Sequence, residues 1–258
     1  MFFDSHAHYD DGRFDTDRAA LLDSFKQNGI DYVVNIGTNI ETSQKCLDLC
    51  EKYDFVYAAL GFYPEDVDGI GEDDILKLEK LCRENKKVVA IGEIGLDYHQ
   101  NNTPKDTQMY WFERQLRLAE KLDLPVAIHM RESTKDTLDI LQKSSVKTGV
   151  LHCFSGSCET AEIALKMGFY ISFSGTVTFK NAKNVAEAAK IVPDDRILIE
   201  TDCPYLSPEP NRGKRNSSLN LKYTAAKLAE LRGTTMEEIA YITSCNAKRM
   251  YNIITYWK

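Results

Sequence analysis

Short apolar runs alternate along the whole chain with stretches whose apolar residues recur at helical spacing. The runs at 2–8, 31–37, 56–61, 88–94, 125–130, 149–154, 170–175 and 197–203 read as strands. Helix-like stretches lie near 15–28, 40–53, 72–85, 105–122, 133–143, 158–167 and 182–191, and two more follow near 219–232 and 235–251. The period is plainest where Met109, Phe112, Leu116, Ala119 and Leu122 form one stripe. Gly29 and Gly168 stand where helices should stop, and Pro125 opens a strand, where its missing N–H does least harm.

Eight β–α units in 258 residues predict an α/β fold, a (β/α)8 TIM barrel forming one domain over 1–258. An open doubly wound sheet is the rival. It lacks its usual phosphate signature, since neither GxGxxG nor GxxxxGK[ST] occurs. The longest irregular loop runs from Pro204 to Ser218 and is rich in Pro, Ser, Asn and charge.

Composition narrows the class. A hydrophobic content of 43% suffices for one large core. A net charge of −7 argues against a passive polyanion binder, so any action on nucleic acid needs local basic groups or metal ions. Seven cysteines without CxxC pairing suggest reduced thiols and a cytoplasmic setting. Asp4 and His6 interrupt the N-terminus before any signal-like apolar run, and no stretch approaches the ~20 apolar residues of a membrane span.

Candidate chemistry gathers at strand ends, the catalytic face of such barrels. His6 and His8 share one strand face, and two imidazoles so placed can grip a divalent cation. A lone His-x-His is weak evidence. Glu93, His129, His152 and Asp202 then stand at the ends of later strands, so four of the five histidines fall at one mouth. Clustered buried carboxylates repel and are costly, which a cation would relieve. Six ligands exceed the need of one tetrahedral zinc and suit two divalent metals, Zn, Mn or Mg, sharing a carboxylate.

Around them, Glu200, on the face of Asp202 and one layer deeper, reads as an acceptor orienting a ligand histidine or ordering a nearby loop, or as half of an ion pair with an arginine, and Asp4 stands in the same relation to His6. Arg131 shares the face of His129 and is placed to clamp an anionic oxygen or to pair with an acid. Arg212, Lys214 and Arg215 form the one concentrated basic patch, suggesting a phosphate-bearing substrate. Tyr63, Tyr98 and His99 follow strands three and four and are candidates to stack on a base or sugar.

Together the motifs Asp4-Ser5-His6-Ala7-His8, Gly92 to Tyr98, His129-Met130-Arg131-Glu132, His152 to Gly156 and Glu200-Thr201-Asp202-Cys203-Pro204 resemble those of the TatD-type metal-dependent deoxyribonucleases, within the amidohydrolase-like barrels. Arg212 to Asn216 and Asn246-Ala247-Lys248-Arg249 also fit, in order across nearly the whole chain. The resemblance implies a two-metal hydrolase cutting DNA phosphodiesters, often as a 3'-5' exonuclease on single strands or 3' ends. It implies that His6, His8 and Asp202 hold one metal, that His129 and His152 hold the other, and that Glu93 bridges. Asp202 is the expected general base, making it and Glu93 the catalytic carboxylates. Two departures bear on substrate choice: Gly61-Phe62-Tyr63-Pro64 stands where the family commonly has Gly-x-His-Pro, and Asn216-Ser217-Ser218 where it has Asn-Glu-Pro. A hydrolase of a small-molecule amide, ester or lactone is the chief rival, and a metal-stabilised binding module the other. No membrane association or obligate protein partner is expected.

Overall fold

The computed structural model describes residues 1–99 and 102–253. Eight parallel strands follow chain order: β1 (Phe2–Ala7), β2 (Ile30–Gly37), β3 (Val56–Leu60), β4 (Val88–Asp97), β5 (Val126–Arg131), β6 (Gly149–Leu151), β7 (Tyr170–Phe173) and β8 (Ile197–Ile199). An isolated parallel bridge from Ala7 to Cys203 closes the ring just past β8. Two backbone bonds reinforce that seam, His8 N–H to Cys203 O (2.8 Å) and Asp202 N–H to His6 O (2.9 Å). The barrel expected from the alternating pattern is therefore the fold.

The helices are α1 (Arg18–Asp23), α2 (Ile40–Lys52), α3 (Glu72–Glu84), α4 (Lys105–Leu122), α5 (Thr134–Lys143), α6 (Cys158–Lys166), α7 (Lys183–Ile191), α8 (Leu221–Arg232) and α9 (Met236–Met250). The first is shorter than the pattern suggested: α1 stops at Asp23, and a separate 3-10 turn, Lys26–Asn28, leads to Gly29. Gly29 and Gly168 both take left-handed φ, 75° and 93°, as their places after helical segments require. The α4 stripe packs as read, with Phe112, Leu116 and Ala119 buried in the core and Met109 and Leu122 against it.

A smaller apolar cluster takes residues from all eight strands, among them Phe3, Val34, Ala59, Ala90, Ala127, Val150, Tyr170 and Leu198. Only the barrel interior lets every strand contribute to one cluster. Met250 and Tyr251, at the end of α9, join it, and the Tyr251 hydroxyl donates to Ser5 O at 2.8 Å. These strand residues precede the histidines and acids in their strands, so the packed floor lies toward the strand N-termini and the polar mouth toward the C-termini. Among the described residues, no helix is long and apolar enough to cross a membrane.

Candidate metal centre

The strand ends bring six side chains together. His6 and His8 leave β1 on one face, with their Nε2 atoms 3.2 Å apart. Glu93 stands inside β4, which runs on to Asp97 instead of ending at residue 94. The extension depends on Gly95, whose φ is 140° and where an added Cβ would come within 2.0 Å of His129 O. That close approach seats β4 against β5. His152 follows β6 directly, and Asp202 lies three residues past β8 with a left-handed φ of 55°. Its backbone is tied on both sides, to His6 O and from Tyr205 N–H.

The ligand atoms fall into two sets that divide the Glu93 carboxylate. His6 Nε2 and His8 Nε2 lie 3.4 and 3.7 Å from Glu93 Oε2, and 3.7 and 3.4 Å from Asp202 Oδ1. Two donors each about 2.1 Å from one cation lie no more than about 4.2 Å apart, so His6 and His8 can share an ion with either carboxylate. Glu93 Oε1 lies 2.8 Å from His129 Nδ1 and 2.9 Å from His152 Nε2, and those two nitrogens are 3.2 Å apart. Three overlapping groups are close enough to hold a metal ion: His6 with His8 and Glu93, Glu93 with His129 and His152, and His6 with His152 and Asp202. The donor chemistry fits: facing imidazole nitrogens beside buried carboxylates need a shared positive charge, and among the described residues His6 Nδ1 has no hydrogen-bond partner.

Other groups fix how the rings face. His8 Nδ1 lies 3.1 Å from Ile36 O. His152 Nδ1 lies 3.3 Å from Glu200 Oε1, which also accepts from Cys153 N–H at 2.7 Å. Glu200 thus lies against both the His152 ring and the backbone that follows it. Asp4 bonds instead to the neighbouring segment after β8 and not to the His6 ring. Its carboxylate takes Thr201 N–H (2.9 Å), the Thr201 hydroxyl (2.6 Å) and the Ser218 hydroxyl (2.6 Å), tying β1 to the segment after β8. Burial lifts its pKa to about 7 despite these donors.

The charges show what the cluster wants. Burial opposes ionisation of Glu93, yet the charge of His152 and hydrogen bonds from His129, His152 and His6 hold its pKa well below the usual range. Burial likewise opposes ionisation of Asp202, and His8 and His6 outweigh it. Burial pulls His8 down, but Asp202 and Glu93 lift it to about 9. His129 and His152 are also raised against burial, by Asp97 and Glu93 in the first case and Glu93 and Glu200 in the second. His6, with burial and His152 against it, is lowered. Without an ion the acids draw protons onto their histidine neighbours, and a cation can take that place.

The cluster opens into a cavity of about 740 Å³, a size suited to a small ligand or a nucleotide. Arg131 lines it, and its guanidinium has no hydrogen-bond or ion-pair partner among the described residues. Tyr63 also lines it, with its hydroxyl donating to Asp97 Oδ2 at 2.8 Å. The remaining substrate candidates stand elsewhere. Tyr98 donates to Asp136 (2.9 Å) beneath Lys105. His99 pairs with Glu132 at 2.6 Å. Arg215 makes a bidentate pair with Asp17 and lies over Phe14, and Arg212 lies over Phe179. Neither they nor Lys214 line the cavity. Arg212 and Arg215 strap the long loop to its neighbours because their long cationic side chains find an acid and rings closer than the mouth.

Asp97 is the main residue that the sequence reading passed over. Its Oδ2 lies 2.9 Å from His129 Nε2, leaving Nδ1 to face Glu93. It falls four residues after Glu93, so strand parity could have found it. Asp10, Asp66, Tyr205 and Leu206 also line the cavity and carried no comparable signal.

The sequence matches the family model described as TatD-related DNase over residues 3–252. The chain belongs to the TatD family. It is 45% identical over 255 residues to an uncharacterized metal-dependent hydrolase, YabD, of Bacillus subtilis, covering 98% of this chain and all of the relative. It is 32% identical over 259 residues to a protein of Erwinia tasmaniensis named 3'-5' ssDNA/RNA exonuclease TatD, covering 97% of this chain and 100% of that one. Among solved structures, YjjV, a TatD homologue of Escherichia coli K12, superposes with a TM-score of 0.93 at 31% identity, covering 98% of both chains. As a TatD protein the chain is a metal-dependent hydrolase on a (β/α)8 barrel.

Proposed function

We propose that this TatD protein hydrolyses phosphodiester bonds of single-stranded DNA, from 3' ends, with two divalent cations. The observation that carries the reading is the division of Glu93, one oxygen facing His6 and His8 and the other facing His129 and His152. One carboxylate shared in this way suits two cations. Asp202 completes the first set. The nitrogen-rich donors favour Zn or Mn over Mg. When bound, the cations supply Lewis acidity, lowering the pKa of water toward ~7 and offsetting phosphoryl charge.

Charge balance favours an anionic substrate once metal is bound. The cavity lining holds five carboxylates, Asp10, Asp11, Asp66, Glu93 and Asp202, against two cationic side chains, Lys45 and Arg131. In the metal-free protein His8, His129 and His152, raised by their acid neighbours, offset that excess with protons. Two divalent ions would displace those protons and carry a larger positive charge. Arg131 then offers a bidentate fork to a non-bridging oxygen. Asp202, kept ionised by its histidine neighbours, accepts the proton that the attacking water gives up. Glu200 and Asp97 hold the rings of His152 and His129 toward the reacting centre. The whole site lies in one domain, and the seven free cysteines accord with a reducing, cytoplasmic compartment.

Metal analysis of the purified protein, with parallel assays on single-stranded oligonucleotides, a generic phosphodiester, lactones and N-acyl amides, tests the reading. Metal-dependent shortening of oligonucleotides from the 3' end is expected. Turnover confined to lactones or amides would replace it with the small-molecule alternative.

A further inference from the structure

Eight large apolar side chains are exposed among the described residues, and two of them are neighbours that both line the cavity, Tyr205 (46% exposed) and Leu206 (37%). The other six are scattered and lie outside it. Rings left half in water beside a charged site are held there by something. The Arg13 guanidinium lies 4.2 Å from the Tyr205 ring centre, covering one face. Arg13 is itself fixed on Asp11 by hydrogen bonds of 2.9 and 2.7 Å. The backbone is fixed too: Tyr205 N–H donates to Asp202 O at 3.0 Å. Leu206 O packs so closely on Gly175 that an added Cβ would meet it at 2.5 Å.

We infer that Tyr205, with Leu206 beside it, is the platform on which an unpaired nucleobase stacks while its phosphodiester sits at the ligand cluster. This rests on the nuclease reading and deepens it. The Tyr205 ring packs edge-to-face with the ligand histidine His8, ring centres 6.2 Å apart and planes at 80°, so a base stacked on Tyr205 lies beside the ligand cluster. A ring with a guanidinium on one face is electron-poor on the other, which favours flat, electron-rich partners such as purines. A base can reach the ring only by leaving a duplex stack, so the platform selects single strands or frayed ends.

The test compares single-stranded oligonucleotides carrying an intact or an abasic residue at the cleaved end. The wild-type protein should prefer the intact strand by ~10-fold or more in kcat/KM, the usual scale of one base–aromatic stack. Tyr205→Ala should bring that preference to within about 2-fold, chiefly through KM, while Tyr205→Phe keeps it. Tyr241→Ala, at an exposed ring of α9 remote from the cavity lining, should also keep it. Melting temperatures of all variants confirm folding. A Tyr205→Ala protein with undiminished preference, or a Tyr205→Phe protein that loses it, overturns the platform while nuclease action stands. A wild-type protein that cleaves no oligonucleotide under Mg, Mn or Zn, yet hydrolyses lactones or amides, overturns both.

Discussion

Asp97 Oδ2 lies 2.9 Å from His129 Nε2, and the Tyr63 hydroxyl donates to the same oxygen at 2.8 Å. The buried carboxylate holds the ring so that Nδ1 faces Glu93, and Tyr63 takes up a further lone pair. Asp97→Asn should lower metal affinity 10–100-fold, the usual effect of losing such a partner. Because His129 belongs to only one set, bound metal should fall from two ions toward one per chain in equilibrium dialysis. Full stoichiometry at unchanged affinity would show that the pair does not matter to binding.

Asp202→Asn should cut phosphodiester turnover by ~10²-fold or more, typical of losing a general base, with the fold retained. The carboxamide keeps the shape of the side chain but cannot accept the proton. Turnover near that of the wild type, with metal content matched, would remove Asp202 from that role.

The pH dependence carries a definite sign. In the metal-free protein Asp202 and Glu93 lift His8 to about 9 against burial, compared with about 6.5 in the unfolded chain. This group contributes stability that is complete below about pH 6.5 and is lost as pH rises to about 9, roughly 3 kcal/mol at most. His129 and His152, raised as well, act in the same direction. Chelator-treated protein should therefore unfold at lower urea as pH goes from 6.5 to 9. Metal affinity should move the other way and weaken as pH falls below about 9, since each ion must displace protons from the raised histidines. Calorimetry in buffers of different ionisation enthalpy should show proton release on metal binding, and none would contradict the ligand set.

Removing metal should cost stability even where it leaves the fold intact. At a free ion concentration 100 times its Kd, binding contributes about 2.7 kcal/mol, or about 5–10 °C in Tm for a chain of this size. Scanning calorimetry with EDTA, then with excess Mn or Zn, measures the shift and its reversal.

Arg131→Ala should raise KM for phosphodiesters by about 10-fold, as expected for losing a charged hydrogen bond to an anion. Arg215→Ala should leave KM unaltered and lower the melting temperature slightly, because its partner is Asp17 and its neighbour is Phe14. Equal effects on KM would return the long loop to the substrate site.

The alternation of apolar strands and amphipathic helices determined the barrel, its element order and the side of the sheet on which His6, His8, Glu93, His129, His152 and Asp202 would meet. Those features are local, since strand parity and helical period are set by neighbours in the chain. The tertiary structure decided what separations in sequence conceal. Glu93 turns one oxygen to each ligand set because β4 continues past it to Asp97, packed against His129 through Gly95. Asp4 serves Thr201 and Ser218 instead of the His6 ring, and Arg215 serves Asp17 instead of the cavity, because partners some two hundred residues away in the chain come closer than the ones parity or proximity suggests. A charged side chain settles on the nearest group that repays its lost hydration, and only the closed barrel determines which group that is.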